Sequence, residues 1–162
     1  MGKRNRSIIT NPGLYFVTTT ARNWTPYFRA PGSRDELENL LFSFFPSHAN
    51  ALMSYVIMLD HVHLLVGCRE GGKQLSRFIQ AFKSISARRI FPGLGNIWTR
   101  RFDDLLIRNH AQVVSRIDYI HYNPVRKGLV ERAEDWKWSS AKFWSRDEPH
   151  PILTKDWEWM EE

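Results

Sequence analysis

The chain has 162 residues, 43% of them hydrophobic, with ten Phe, seven Trp and five Tyr. That composition excludes a disordered polymer and gives one domain enough apolar mass for a core. Lys and Arg outnumber Asp and Glu by 23 to 17, a net charge of +6, which points to a polyanionic partner.

Residues 1–12 read as a basic arm, with no apolar signal segment behind Lys3, Arg4 and Arg6. Leu14 to Thr20 is β-branched and aromatic, hence a strand. A loop carrying Pro26, Pro31 and Gly32 follows. Ser33, with Glu36 three residues on, then predicts the N-cap of a helix running to about Phe45. Residues 51–67 are too long for one ordinary strand and predict a tight hairpin turning at Asp60. In its second arm His61 and His63 alternate with Val62, Leu64 and Val66. Alternate residues of a strand share a face, so the two imidazoles stand side by side opposite an apolar face. Such a pair can chelate a divalent metal, or be satisfied by backbone and water.

Gln74 to Ile90 places Leu75, Phe78, Ile79, Phe82 and Ile85 at helical spacing, with Lys73, Arg77, Lys83, Arg88 and Arg89 on the other face. Before it, Gly67 to Lys73 matches a phosphate-loop pattern, but Gln74 replaces the hydroxyl that would hold Mg²⁺, and Glu70 would oppose phosphates. A helix-capping turn is expected there, and no nucleoside triphosphate. Ile97 to Ile107 reads as extended, with Trp98 and Phe102 facing the same way. Val113 to about Asn123 reads as a second amphipathic helix, ended by Pro124 and Gly128. The tail holds Trp136, Trp138, Trp144, Trp157 and Trp159.

Strand, helix, hairpin, helix, strand, helix is the order of an α+β fold. We expect a ferredoxin-like antiparallel sheet with helices packed mainly on one face. Cys68 is the only cysteine, which excludes an intrachain disulfide and fits a cytoplasmic protein. No apolar run approaches a membrane span.

On the last helix Tyr119 and Asn123 lie four residues apart, one above the other. A phenol can act as nucleophile and an amide oxygen as a third metal ligand. His121 and Tyr122 are rivals on the same segment. Arg100, Arg101 and Arg108, with Lys73, Arg77, Lys83 and Arg88, form a basic set able to follow phosphates, or an ordinary solvated face.

His61-Val62-His63, the run from Tyr119 to Val130 (YIHYNPVRKGLV) and Asp135-Trp-Lys-Trp-Ser-Ser-Ala141 together resemble the single-tyrosine HUH transposases of the IS200 type. The likeness is nearest to the REP-associated tyrosine transposases and spans roughly residues 12–144. It implies a domain over 13–144, with 145–162 as a C-terminal tail that matches nothing. It also implies that His61 and His63 bind metal, that Tyr119 is the nucleophile and that Asn123 is the third ligand. Two positions depart from the pattern: Leu59 stands where Pro is common, and Asn123 where the better-known IS200 enzymes have Gln.

What the resemblance implies is cleavage of single-stranded DNA beside a hairpin, with Mg²⁺ or Mn²⁺ in a half-protein shell and Zn²⁺ as a competitor. Bond energy would be kept in a 5′-phosphotyrosine, so rejoining would need no ATP. IS200 relatives are dimers exchanging the tyrosine helix and REP-associated ones act as monomers, so monomer and homodimer both stand. The competing reading is a non-catalytic module of ferredoxin-like fold that binds single-stranded nucleic acid.

Overall fold

A computed structural model describes residues 12–156. The expected basic arm lies outside them, Pro12 excepted, as do Trp157 and Trp159. Strands β1 (Gly13–Thr20), β2 (Ala51–Ile57), β3 (His61–Cys68) and β4 (Asp103–Leu106) form one sheet in the order β2-β3-β1-β4. Every pairing is antiparallel. Helices α1 (Ser33–Ser43), α2 (Gly72–Arg89), α3 (His110–Arg126) and a short α4 (Ala141–Ser145) complete the chain. The fold is therefore α+β and ferredoxin-like, as expected. Among the described residues no helix is long and apolar enough to cross a membrane.

Period-two alternation in the strands builds two cores. Tyr15, Val17, Tyr55, Val62, Leu64 and Val66 face α1 and α2, meeting Leu37, Leu41, Leu75, Phe78 and Phe82. Leu14, Phe16, Val56 and Leu65 face the other way, against Val113, Ile117 and Ile120 of α3. Each of these α3 side chains contributes roughly 1.5–3 kcal/mol on burial. Two long helices thus share one face, and α3 has the other. His61, His63 and Thr18 continue the α3 face beyond its apolar part, because β1 and β3 pair with Thr18 opposite His63 and Thr20 opposite His61.

Several local expectations are corrected. Ser33 is not the N-cap but the first residue of α1, after Gly32 in left-handed conformation (φ 77°). The Ser33 hydroxyl donates back to the carbonyls of Phe28 (3.0 Å) and Ala30 (2.7 Å) instead. Helix α1 stops at Ser43 rather than Phe45. Of Ile97 to Ile107 only Asp103–Leu106 is strand, since Trp98 turns into the core and donates its indole N–H to Ser86 Oγ (2.9 Å). Phe102 does pack on the same core as Trp98.

Pro124 does not end α3. It lies in the last turn, where the missing N–H costs one bond to the Ile120 carbonyl. The helix is secured beyond it by Lys127 N–H on Asn123 O (3.1 Å) and Leu129 N–H on Pro124 O (2.9 Å). Gly128, at φ 72°, then supplies the left-handed exit.

Residues 136–144 have a role that no local pattern announces. They run along the outer edge of β2 as an irregular cover. Ile57 N–H donates to Trp138 O (2.8 Å) and Ser140 N–H to Tyr55 O (3.0 Å). The indoles of Trp136 and Trp144 donate to the carbonyls of Ile57 (3.0 Å) and Met53 (2.7 Å). Thr154 N–H on Leu52 O (3.1 Å), with Leu153 buried, extends the cover.

Candidate active site

The β2–β3 turn is pinned to the loop after β1: Ala21 N–H donates to Asp60 O (2.8 Å) and Phe28 N–H to Leu59 O (3.1 Å). This fixes Asp60 beside His61. The Asp60 carboxylate accepts from His61 Nδ1 at 2.7 Å, and His63 Nδ1 meets Thr18 Oγ1 at 2.8 Å. A carboxylate can only accept, so His61 carries its hydrogen on Nδ1 and keeps a lone pair on Nε2. His63 is held by the same nitrogen, and Nε2 is the ring nitrogen without a bond to another described residue. The ring centroids stand 4.7 Å apart.

Burial, and not partners, dominates the protonation of both rings. It pushes His63 down to about 3, helped by His61, Arg126 and Arg116. It also lowers His61, outweighing Asp60, which pulls the other way. Both imidazoles are therefore neutral near pH 7, the form that ligates metal.

Helix α3 brings its polar edge over the pair. Tyr119 lies with its ring 5.3 Å from His63 and 5.9 Å from Phe16. Phe16 in turn stacks on His63 at 5.4 Å. One turn later Asn123 is 4% exposed, and its side-chain amide makes no hydrogen bond to another described residue. Arg126 reaches back two turns, donating to the Tyr119 carbonyl and placing its guanidinium 4.5 Å from the Tyr119 ring centroid.

These groups line one cavity of about 390 Å³: Thr18, His61 and His63 from the sheet, Tyr119, Asn123 and Arg126 from α3, then Lys127 and Trp24. Trp24 and its neighbour Asn23 both have left-handed backbone, φ 54° and 57°. Asn tolerates this region, but for a bulky side chain it costs roughly 1–2 kcal/mol.

The two rivals on α3 separate cleanly. His121 is buried on the opposite flank, its Nε2 hydrogen-bonded with Ser140 Oγ (2.7 Å) and Ser54 Oγ (3.1 Å). Tyr122 is half exposed and does not line the cavity. Of the seven basic residues singled out from the sequence, none lines it either. Lys83, Arg88 and Arg100 border a second groove of about 420 Å³ between α2 and the following loop. Within it Lys83 donates to the carbonyls of Thr99 and Arg101, and Arg88 to that of Ser84 (3.4 Å). Arg77 pairs with Glu70 at 2.8 Å. Of the segment 67–73 only 69–71 is turn, leading from β3 into α2 at Gly71 without a side-chain cap, and Gln74 accepts from Glu70 N–H at 3.0 Å.

Sequence reasoning missed Asp60, Thr18, Trp24, Arg116, Arg126 and Lys127. Asp60 was readable only as a turn residue, and Thr18 needs the β1–β3 register to be placed at all. Arg126 and Lys127 stand inside the run from Tyr119 to Val130, without a signal that the Arg126 side chain folds back over Tyr119 or that Lys127 reaches the cavity.

Two imidazole nitrogens and one amide oxygen make a mixed donor set that could hold a divalent cation. His61, His63 and Asn123 would fill half its shell, and Asp60 orients one imidazole from behind. Among the described residues no three His, Cys, Asp or Glu side chains gather to hold a metal.

A family model described as "Transposase IS200 like" matches residues 14–123. A Haemophilus influenzae protein assigned as a REP-associated tyrosine transposase is 28% identical over 164 residues, covering 94% of this chain and 91% of its own. The REP-associated tyrosine transposase of Escherichia coli K12 is 31% identical over 104 residues, covering 64% of this chain and 60% of its own. A solved REP-associated tyrosine transposase bound to a REP hairpin superposes with a TM-score of 0.73 at 24% identity, over 96% of this chain and 92% of that one.

Proposed function

This chain belongs to the family of IS200-like transposases, and from that premise we propose that it cuts and rejoins single-stranded DNA beside a hairpin, with Tyr119 as nucleophile. The observation that carries this reading is one cavity shared by two histidines each held through Nδ1, a tyrosine one turn from an unbonded amide, and two basic side chains.

The scissile phosphate sits between the histidine pair and Tyr119. Arg126 and Lys127 neutralise its non-bridging oxygens. A bound Mg²⁺ or Mn²⁺, held by His61, His63 and Asn123, would polarise the phosphoryl group and orient it. The Tyr119 oxygen attacks phosphorus as its proton leaves to solvent. A new Tyr–O–P bond forms, the bond from phosphorus to the 3′ oxygen breaks, and that oxygen takes up a proton. The product is a 5′-phosphotyrosine and a free 3′ hydroxyl. Attack by a 3′ hydroxyl reverses the step and regenerates the phenol, without ATP. The basic residues of α2 and its following loop lie on the other face of the sheet. We assign Lys73, Arg77, Lys83, Arg88, Arg100, Arg101 and Arg108 to phosphates away from the reacting one.

The test is incubation with end-labelled DNA, as tailed hairpin and as blunt duplex, with Mn²⁺. A covalent protein–DNA adduct is expected on the tailed hairpin. It should vanish in Tyr119→Phe and in EDTA and persist in Tyr122→Phe. Tyr119 is 40% exposed, so the lost hydroxyl should change stability by less than about 0.5 kcal/mol. Tight binding of the tailed hairpin with no adduct under any metal would favour the non-catalytic module.

A further inference from the structure

Trp24 differs from the other described tryptophans. Trp98, Trp136, Trp138 and Trp144 pack against the cores and donate their indole N–H groups to Ser86, Ile57, Asp35 and Met53. Trp24 is 61% exposed, and its indole makes no hydrogen bond to another described residue. Its ring meets His61 edge to face at 5.8 Å, on the lining of the cavity. Packing does not account for a large apolar ring kept in water on a left-handed backbone.

The loop that carries it is firmly held. Ala21 N–H donates to Asp60 O (2.8 Å), Arg22 N–H to Ile97 O (2.7 Å), Trp24 N–H to Ala21 O (3.0 Å) and Tyr27 N–H to Thr25 O (2.8 Å). Backbone strain that persists in a pinned loop marks a side chain held for use. Across the same cavity stand the guanidinium of Arg126 and the ammonium of Lys127. An aromatic plane and a pair of cations on one cavity match the two halves of an unpaired nucleotide, base face and phosphate.

We propose that Trp24 is a stacking platform for the unpaired nucleobase next to the phosphate held in the cavity. This rests on the cavity being a single-strand DNA site, and it adds a reason for that preference. A base inside a duplex is already stacked on both faces and has none to offer. Stacking accepts any base, so Trp24 selects an unpaired flank and not a sequence.

The experiment uses the uncut complex of the Tyr119→Phe protein with a tailed hairpin carrying 2-aminopurine at successive tail positions. One position should lose fluorescence on binding, and that loss should disappear when Trp24→Ala is added. Trp24→Ala should weaken tailed-hairpin binding roughly 5- to 100-fold, and Trp24→Phe should recover most of it. An abasic nucleotide at the quenched position should make wild type and Trp24→Ala bind alike. Trp24→Gly should bind as poorly as Trp24→Ala while melting no lower than wild type, because glycine relieves the left-handed strain. Equal binding by wild type and Trp24→Ala would overturn the platform and leave the Tyr119 adduct untouched. An equal loss on blunt duplex would also overturn it. A quench lost in Trp24→Ala, together with no adduct under any metal from the protein that keeps Tyr119, would sink the cutting reaction and support the platform.

Discussion

Asp60→Asn is nearly isosteric, so it probes the hydrogen on His61 without opening space. Asp60 touches the His61 ring at 2.7 Å, and its backbone carbonyl, which receives Ala21 N–H, is unaltered by the change. A carboxylate forces the Nδ1–H tautomer, whereas an amide can present its NH₂ and stabilise the other one. The hydrogen then sits on Nε2, where it blocks the lone pair meant for the metal. Loss of a partner of this kind costs about 10- to 100-fold in metal affinity, or roughly 1.4–2.7 kcal/mol. The assay is adduct formation on tailed hairpin DNA across a Mn²⁺ titration, with calorimetry of Mn²⁺ binding to the free protein. Half-saturation should move up by one to two decades, with most of the maximal rate recovered at high Mn²⁺. Thr18→Val, which removes a neutral hydroxyl from His63, should move it less. An unshifted Asp60→Asn titration beside an inactive His61→Ala would refute the argument that the carboxylate sets the ligand.

Arg126→Ala should lower the rate of adduct formation at saturating DNA about a hundredfold, with Arg126→Lys intermediate because it keeps the charge and loses the fork. An unchanged rate would remove Arg126 from the reacting phosphate. His121 gives a pH effect of definite sign. Burial lowers it from the ordinary 6.5 to about 4, so the folded chain refuses a proton that the unfolded chain accepts between those values. Its contribution is complete above pH 6.5 and is lost on acidification toward pH 4, about 1.4 kcal/mol per pH unit in that window. Denaturant melts in EDTA should show wild type losing that much more per unit than His121→Gln, and parallel slopes would contradict it.

Legibility in the sequence followed the range of the forces involved. The β2–β3 hairpin, the shared face of His61 and His63 and the long helix α2 come from periodicity, which is local, and all three stood out. The register of Tyr119 with Asn123 is likewise a property of one helix. Pro124 misled because its breaking tendency is intrinsic, whereas here the bonds of Lys127, Gly128 and Leu129 carry the turn past it. Ser33 misled for a similar reason: its hydroxyl donates to carbonyls behind it instead of accepting from the amides ahead. The seven basic residues were grouped by sequence proximity, but α2 faces away from α3 across the sheet. The cations that do reach the cavity needed the tertiary fold to be seen, as did the pairing of Thr18 with His63.

The cover laid along β2 by residues 136–144 has a consequence for how copies of this protein meet one another. An uncovered outer strand is a template on which another chain can add, and it is the usual start of ordered aggregation. Here one margin of the sheet already has its bonding groups engaged by Trp136, Trp138, Ser140 and Trp144. The other margin, β4, is four residues long and opens with Asp103 and Asp104, whose charge and brevity both discourage strand addition. The molecule therefore carries its own protection against polymerising through its sheet, and much of it is placed in a segment outside the four paired strands.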